Sequence, residues 1–386
     1  MKKINIGITL SIDPTESLFT NGIRQNVIIL RELYEKCEGV GDCYIINTSG
    51  KQLPDDPSLP LHPFRKFIID LKDVKKYCNF VVVAHGSLLP GEYKELRESG
   101  VKIVKLILGN LFSMFNEQIL FKSKDDYYGV FKKNSGFIDK TWVSKHFYRD
   151  RYFYETLYDC ETKIAPYVWD PRFIEKSNEN YKLNHGKSSE YQPSGKKEKR
   201  ILNFEPNLNM VKVCTQSIVA LERFYKQNPE LVGDSYFFNT SIIKEKKDFI
   251  DFVKDLKVYK SGRVSFEGGI AIINALGKYG DIVLATQNQN ELNYLYLDAA
   301  WMGYPVVHNS SMMKEIGYYY EENNAQEASE TLLQICQGFD GYYEKYKEES
   351  RQKASKYMIT NEENIKECTK LIHEVVEGKW SAKLHI

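Results

Sequence analysis

The stretch TQNQNELNYLYLDAAWMGYPVVHNSS, residues 286–311, decides how the second half of this chain folds. The apolar run IVLA just before it predicts a strand at 281–286, and residues 293–302 have the apolar spacing of a helix. Residues 305–309 are rich in valine and predict another strand. A strand, a helix and a further strand in this order form a crossover between parallel strands, so we expect a parallel α/β sheet.

The same alternation of strands and helices extends over most of the chain. Further strands of the second half are expected at 201–204, 235–240 and 263–267. In the first half they are expected at 4–9, 43–48, 80–85, 102–109, 141–144 and 163–168, with a helix at 22–36 between the first two. The sequence therefore predicts two doubly wound, Rossmann-like sheets.

Four segments follow from this pattern. The first domain is expected at 1–174, and a polar linker that is nearly free of aliphatic residues at 175–199. The second domain is expected at 200–340. The remaining segment, 341–386, is rich in lysine and glutamate and is expected to be helical. It could pack back on the first domain.

Charge and cysteine usage exclude several classes of protein. The 53 Lys and Arg residues nearly cancel the 52 Asp and Glu residues, so neither nucleic acid nor an anionic membrane is an expected partner. Seven cysteines are scattered without metal-ligand spacing and indicate free thiols in a reducing compartment. The apolar run in the opening MKKINIGITLSID is too short for a signal peptide, and no transmembrane segment is expected. We expect a cytoplasmic protein whose oligomeric state the sequence leaves open.

Two nucleotide-binding fingerprints are missing from the sequence. No GxGxxG follows a predicted strand, which weighs against nicotinamide and flavin enzymes. No GxxxxGK[ST] is present, which weighs against an ATPase. We therefore expect no redox cofactor. We also expect no metal.

Polar residues of the second domain follow two predicted strands, where parallel sheets bind ligands. Glu205, Asn207, Asn209 and Lys212 crowd one strand-to-helix turn, in which amide donors and an ammonium could meet a pyrophosphate. Asp298 lies on the next predicted helix and suits a ribose diol, because a carboxylate accepts two hydroxyl hydrogen bonds. Asp298 could equally be a solvent-facing residue.

Two segments of the first domain are candidates for the phosphate or acceptor side. Asn21, Gly22 and Arg24 stand where a turn enters a helix, and Arg24 could clamp a diphosphate, but Asn21 could also be an ordinary N-cap beside a solvated Arg24. His85 and Gly86 follow the apolar run FVVVA, and His85 could polarise a sugar hydroxyl as the catalytic residue. The alternative is a structural histidine whose nitrogens are hydrogen-bonded within the protein.

The second half resembles the carboxyl domain of GT-B glycosyltransferases, enzymes with two Rossmann-like domains facing a cleft. The motif Asp298-Ala299-Ala300, followed by Gly303 and Pro305-Val306-Val307, matches the later part of their donor-site pattern. Two segments of the first half, Trp142-Val143-Ser144 and Pro166 to Phe173, agree with that family in order. Within this family, the chain resembles a poorly characterised bacterial and viral branch in the sequence motifs Leu292-Asn293-Tyr294 and Tyr304 to Ser310.

The resemblance implies roles for further residues. Lys212 falls at the position of the family's diphosphate-binding lysine, and Asp298 at that of the ribose anchor. The other residues implied in donor binding are Glu205, Asn207, Asn209, Asn290, Glu291, Asn293, Tyr294, His308, Asn309 and Ser310. The family's first acid would fall at Asn290, with Glu291 one place away, so this chain departs from the pattern at that position.

The expected activity is transfer of a sugar from a nucleoside diphosphate sugar to a hydroxyl of a glycan, glycolipid or glycoprotein, without a metal. Two alternatives stay open. A nucleotide-sugar epimerase of the same fold would release a changed sugar without an acceptor. A catalytically idle scaffold that binds carbohydrate or a partner would fit the missing first acid.

Overall fold

A computed structural model of the chain describes residues 3–14, 22–56, 61–121 and 136–378. The chain divides into two compact units, one formed by residues 1–170 and 357–386 and the other by residues 171–356. Within the described ranges, no helix has both the length and the apolar character needed to cross a membrane.

The first unit is a seven-stranded parallel sheet with helices. Its elements are β1 (Ile4–Leu10), α1 (Gly22–Glu35), β2 (Val40–Asn47), β3 (Ile68–Asp70), α2 (Val74–Tyr77), β4 (Phe80–Val83), α3 (Pro90–Glu98), β5 (Lys102–Ile107), α4 (Leu111–Phe121), β6 (Lys140–Val143), α5 (Arg151–Tyr158) and β7 (Thr162–Ile164). The strand order is β3-β2-β1-β4-β5-β6-β7, so the order reverses between β1 and β4. Apolar strands such as FVVV of β4 are completely buried, as both faces of a parallel sheet are covered.

The second unit repeats this plan with six parallel strands. Its elements are α6 (Arg172–His185), β8 (Lys199–Asn203), α7 (Thr215–Gln227), β9 (Val232–Phe237), α8 (Lys247–Val253), α9 (Lys257–Lys260), β10 (Val264–Phe266), α10 (Ile272–Tyr279), β11 (Ile282–Leu284), α11 (Tyr294–Trp301), β12 (Val306–His308), β13 (Tyr318–Tyr319), α12 (Ala325–Gly338) and α13 (Tyr343–Ala354). The order β10-β9-β8-β11-β12-β13 reverses between β8 and β11. The prediction of two doubly wound, Rossmann-like sheets is confirmed.

The segment predicted as a linker, 175–199, is instead an ordered part of the second unit. Most of α6 falls in it, and Tyr181 and Tyr191 are buried although the segment is polar overall. Tyr191 packs its ring against Tyr304 and donates a hydrogen bond to Asp340. A few buried tyrosines therefore anchor a segment whose mean composition is typical of a linker.

The carboxyl-terminal segment is divided between the two units. Helix α13 belongs to the second unit, whereas α14 (Glu362–Glu377) belongs to the first. In the first unit, α14 packs against α1, and the Cys37 thiol donates a weak hydrogen bond to the Ile365 carbonyl (3.7 Å). The predicted boundary at 341 differs from the observed division at 356/357, because both stretches are equally charged and helical in sequence.

Candidate functional site

Polar side chains cluster beyond the carboxyl ends of β8 and β11, where the strand order of the second unit reverses. Glu205 comes two residues after β8, and Thr286 and Gln287 come two and three residues after β11. In open parallel sheets ligands bind at such a switch point, because the loops of the two strands diverge there. We therefore take this cluster as the candidate site and call it the switch-point cluster.

The Glu205 carboxylate is the centre of the switch-point cluster and is only 1% exposed. One oxygen accepts a hydrogen bond from the Thr286 backbone N–H (3.0 Å), and the other accepts one from Nε2 of Gln287 (2.7 Å). Burial raises the pKa of Glu205 to about 7, although the Lys212 charge and both hydrogen bonds act to lower it. This carboxyl group therefore changes its charge near neutral pH.

Lys212 ends the turn that Glu205 begins, and its side chain is half-buried. Burial lowers the pKa of Lys212, and the Glu205 carboxylate opposes that effect. Among the residues that the structure describes, the Lys212 ammonium has no hydrogen-bond or ion-pair partner. Its three N–H donors therefore remain available to an anionic ligand.

Two asparagines shape the turn between Glu205 and Lys212. The Asn207 backbone N–H donates to the Lys212 carbonyl (3.0 Å), and its φ of 56° lies in the left-handed region that asparagine tolerates. Its amide nitrogen donates to the Glu205 and Asn239 carbonyls, and its side-chain oxygen accepts from the Cys214 N–H. Asn207 was predicted to bind a diphosphate, but here its side chain is used to hold the turn.

Asn209 differs from Asn207, because no hydrogen bond from Oδ1 of Asn209 holds the turn. It is half-buried, and its Oδ1 atom is shielded from solvent without a hydrogen-bond donor in the described part of the chain. A buried acceptor without a donor is costly, so a ligand N–H or O–H would stabilise it. The prediction of Asn209 as a ligand-binding residue is compatible with this placement.

The loop after β11 is fixed to the loop after β12 by reciprocal hydrogen bonds. The Gln287 backbone N–H donates to Oδ1 of Asn309 (2.8 Å), and Nδ2 of Asn309 donates back to the Gln287 carbonyl (3.0 Å) and to the Glu322 carbonyl (2.7 Å). Asn290 donates to Oε1 of Gln287 (3.1 Å). Asn290 and Asn309 thus contact Gln287, which in turn contacts Glu205. Both asparagines were predicted to bind the donor, and in this structure their side chains hold the loops of the candidate site.

His308 and Ser310 were predicted in the donor site, but the observed contacts of His308 are structural. It is fully buried, its Nδ1 accepts from the Ser310 backbone N–H (3.1 Å), and its Nε2 hydrogen-bonds the Ile316 carbonyl. The Nε2 atom must therefore carry the proton. Burial lowers the pKa of His308 to about 4, which keeps the ring neutral. A motif in sequence could not reveal that the Ile316 carbonyl lies beside this ring.

Helix α11 and the loop before it carry four predicted donor-binding residues. The Asn293 side chain caps the helix by accepting from the Leu295 N–H (3.1 Å). Tyr294 and Asp298 lie on the helix and are half-buried. Glu291 is also half-buried, and its Oε2 atom is shielded from solvent without a donor among the described residues. Glu291 and Asn209 therefore both present acceptors that lack donors.

The first unit has its own switch point, between β1 and β4, and the predicted catalytic residue lies there. Nδ1 of His85 accepts from the Ser11 backbone N–H (3.3 Å), so His85 links the ends of the two strands. Gly86 has a φ of 87°, and a Cβ there would lie 2.1 Å from Oγ1 of Thr48. A side chain at Gly86 would therefore require the Thr48 side chain to shift.

The other residues predicted on the phosphate or acceptor side belong to the start of α1. Gly22 begins that helix and is exposed. Arg24 is 3% exposed, and its guanidinium donates to the Asp13 backbone carbonyl (3.2 Å), so it is neither solvated nor open at the surface. Asn21 lies outside the described residues.

Sequence reasoning missed three residues of the switch-point cluster. Thr286, Gln287 and Tyr320 are all buried, and the Tyr320 hydroxyl bonds to Thr286 (2.8 Å) and to the Ala285 carbonyl (3.1 Å). The run of polar residues TQNQN directly after a strand was the available signal. In the described ranges, no group of three or more His, Cys, Asp or Glu side chains could hold a metal ion.

The switch-point cluster can do two kinds of chemistry. The Lys212 ammonium can bind an anion, and the buried Glu205 can exchange a proton near neutral pH. Oδ1 of Asn209 and Oε2 of Glu291 have no donor among the described residues, and a ligand hydroxyl could supply one. These properties fit a ligand that carries both an anionic group and hydroxyl groups.

Solved structures share this architecture over their whole length. A glycosyltransferase from Rickettsia africae has a TM-score of 0.54 at 13% identity, over 98% of this chain and 100% of that one. HepE of Anabaena, solved in complex with UDP, has a TM-score of 0.53 at 11% identity, over 97% and 99%. The pneumococcal O-GlcNAc transferase GtfA, in complex with UDP and GlcNAc, has a TM-score of 0.55 at 9% identity, over 98% and 100%. At these identities the likeness establishes the fold, which is GT-B with two Rossmann-like domains.

No curated protein matches this sequence. One family model does match, and it covers residues 6–372, which includes both units. The chain therefore belongs to the family described as "Protein of unknown function (DUF2827)".

Proposed function

We propose that this protein is a glycosyltransferase that moves a sugar from a nucleoside diphosphate sugar to a hydroxyl of a glycan, glycolipid or glycoprotein. The observation that carries the proposal is the unpartnered Lys212 ammonium at the switch point of the second unit. A cation with free donors at this position suits the diphosphate, which is the group that leaves when the sugar is transferred.

The roles of Asp298 and His85 are proposed from the sequence, and the other roles from the contacts. Lys212 binds the diphosphate and stabilises its charge, so no metal is needed. Asn209 and Glu291 accept hydrogen bonds from hydroxyl groups of the donor, because their shielded oxygens lack donors. Asp298 binds the ribose, and His85 interacts with the reacting sugar or acceptor hydroxyl. Asn207, Asn290 and Asn309 hold the loops in place.

Two similar structures support the choice of ligand. HepE was solved with UDP, and GtfA with UDP and GlcNAc. They share the fold and differ from this chain at about nine positions in ten, since identity is 11% and 9%. The nucleotide base, the sugar and the acceptor of this protein are therefore open to experiment.

A binding experiment tests the proposal. Thermal unfolding is followed with UDP, GDP, ADP, CDP and their glucose esters. We expect one base to stabilise the protein, by about 2.7 kcal/mol at 100 times its Kd. The Lys212→Met variant should lose the shift. The matched control is Lys247→Met, because Lys247 lies on the same unit and is 86% exposed.

The products separate the transferase from its alternatives. A transferase releases free nucleoside diphosphate, slowly to water and faster with an acceptor, whereas an epimerase returns an intact nucleotide with a changed sugar. Binding without either reaction would indicate the idle scaffold. If no nucleotide stabilises the native protein, the proposal is wrong.

A further inference from the structure

Three buried side chains of the switch-point cluster form a continuous line of hydrogen bonds. Oε2 of Glu205 accepts from Nε2 of Gln287 (2.7 Å), and Oε1 of Gln287 accepts from Nδ2 of Asn290 (3.1 Å). The loop after β11 is thereby tied to the turn after β8 through side chains. We call Glu205, Gln287 and Asn290 the Glu205 triad.

The carboxylate sets the direction of the hydrogen bonds in the Glu205 triad. An ionised carboxylate has only acceptors, so Gln287 must turn its NH2 group toward Glu205 and its carbonyl oxygen toward Asn290. That oxygen is also an acceptor, so Asn290 must turn its own NH2 group toward Gln287. Oδ1 of Asn290 accepts from no residue that the structure describes. The triad therefore holds Asn290 by its nitrogen and leaves its oxygen for another donor.

A backbone group fixes the other end of the Glu205 triad. Oε1 of Glu205 accepts from the Thr286 backbone N–H (3.0 Å), which cannot exchange donor for acceptor as a side-chain amide can. In Glu205→Gln, the new amide must keep its oxygen at Thr286 and turn its NH2 group toward Gln287. Gln287 and Asn290 would then both reverse, and Asn290 would present NH2 in place of oxygen.

We propose that Asn290 presents Oδ1 to a hydroxyl of the donor sugar, and that Glu205 and Gln287 are positioning residues that fix this orientation. The inference rests on the proposed function, because its ligand is the sugar of a nucleoside diphosphate sugar. The group that Asn290 contacts must donate a hydrogen bond. A hydroxyl can do so, whereas a carboxylate only accepts. The Glu205 triad thus selects a neutral sugar over a sugar acid at this position.

The Glu205 triad also explains why an amide stands where the GT-B pattern has its first acid. A carboxylate at position 290 would face the carbonyl oxygen of Gln287, and neither of these groups carries a proton to share. In this chain the negative charge lies at the opposite end of the triad, on Glu205. An amide at 290 is compatible with that charge and still offers an oxygen acceptor.

Fluorinated sugars test the contact with Asn290. Fluorine is similar in size to a hydroxyl group but cannot donate a hydrogen bond. The probes are the nucleoside diphosphate glucose that stabilises the protein and its analogues with fluorine in place of one glucose hydroxyl at a time. Affinities are measured at about pH 8.5, where Glu205 is ionised. We expect one analogue to bind the wild-type protein about tenfold more weakly than the parent sugar.

Two variants show whether the Glu205 triad sets this selectivity. Glu205→Gln should reduce the tenfold difference to less than about threefold, because NH2 at position 290 needs no donor from the sugar. Comparing parent and analogue within one variant cancels any effect of the lost charge on the diphosphate. Asn290→Ala should also reduce the difference, and it decides the contact if Glu205→Gln does not fold. A tenfold difference that survives in either variant would overturn the inference.

The matched control is Asn288→Ala. Asn288 lies in the same loop, and its Nδ2 atom makes one hydrogen bond, to the Met210 carbonyl (2.9 Å). It is not part of the Glu205 triad, so this variant should keep the tenfold difference. If the wild-type protein binds the nucleotide but does not distinguish any analogue from the parent sugar, the inference is wrong and the proposed function stands. If no nucleotide sugar binds, both are wrong.

A double-mutant cycle tests the direction of the hydrogen bonds without a ligand. Asn290→Asp should lower the midpoint of urea unfolding at about pH 8.5, because its carboxylate faces the Gln287 oxygen. In the Glu205→Gln background the reversed Gln287 offers NH2 to position 290, so the same change should lower the midpoint much less. Equal losses in the two backgrounds would overturn the inference.

Discussion

The strand order reverses in both units, but the residues at the two switch points make different kinds of contact. In the second unit, buried side chains connect the loops, with Glu205, Gln287 and Asn309 in continuous contact. In the first unit, His85 contacts the Ser11 backbone, and the Gly86 backbone lies close to Thr48. We call the carboxyl ends of the strands the first edge in the first unit and the second edge in the second unit. The second edge can therefore hold a charged group in a fixed place, whereas the first is shaped by close contacts of the backbone.

The largest expected effect concerns the buried carboxyl group of the second edge. The pKa of Glu205 is about 7 in the folded protein and 4.5 for an exposed glutamate. Glu205 thus stabilises the protein fully below pH 4.5, and this contribution is lost as the pH rises through 7. The change is about 3 kcal/mol, at 1.36 kcal/mol per pKa unit. The free energy of unfolding of Glu205→Gln, relative to wild type, should therefore rise by about 3 kcal/mol over this interval.

Urea unfolding at several pH values measures this difference. His308, whose pKa is about 4, titrates in both proteins, and its contribution cancels. Glu222→Gln should show the opposite sign, because hydrogen bonds hold the pKa of Glu222 below its usual range despite its burial. Equal pH profiles for wild type and Glu205→Gln would mean that Glu205 titrates like an exposed residue.

The next prediction compares the loss of stability on replacing one asparagine at each edge. Asn309 makes three hydrogen bonds to residues 13 and 22 positions away, so it joins separate loops. Asn47 also takes part in three, but its partners Ser49 and Lys51 are at most four positions away. We expect Asn309→Ala to lower the free energy of unfolding by about 3 kcal/mol and Asn47→Ala by about 1 kcal/mol. Similar losses in urea unfolding would remove the contrast between the edges.

A glycine pair tests the close approach in the first edge. Gly86 and Gly50 both have positive φ, at 87° and 70°, but only a Cβ on Gly86 would collide, with Thr48. Gly50→Ala should cost about 1 kcal/mol of stability from backbone strain, and Gly86→Ala about 1 to 2 kcal/mol more. Thermal unfolding of both variants gives the difference. Equal losses would show that the Thr48 side chain moves aside without cost.

The sequence predicted the sheets well because buried parallel strands leave a clear pattern. Runs such as FVVV of β4 and IVL of β11 are apolar throughout, and few other structures require that. The segment 175–199 was misjudged because mean composition hides single anchors such as Tyr191. Where few apolar residues do the packing, their positions matter more than their number.

The sequence pointed to the residues of the candidate site but not to their contacts. Glu205, Asn209 and Lys212 were predicted as ligand-binding residues from their crowding after a strand, and that role stays a prediction. Nothing in the sequence revealed that Glu205 is buried. The role of His308 depends on the Ile316 carbonyl, eight residues away, and that contact exists only in the folded chain. Local patterns thus locate a switch point, whereas tertiary contacts decide which of its side chains are already hydrogen-bonded within the protein.

The smallest effect concerns an ion pair at the first edge. Lys51 contacts Asp13 at 2.8 Å, but the two side chains are 59% and 30% exposed. Water and salt screen such pairs, so Lys51→Met should change the free energy of unfolding by less than about 0.5 kcal/mol. Urea unfolding at low and high salt measures it. A larger, salt-dependent loss would mean that the first edge also depends on a fixed charge, and the distinction between a charged edge and a backbone edge would then fail.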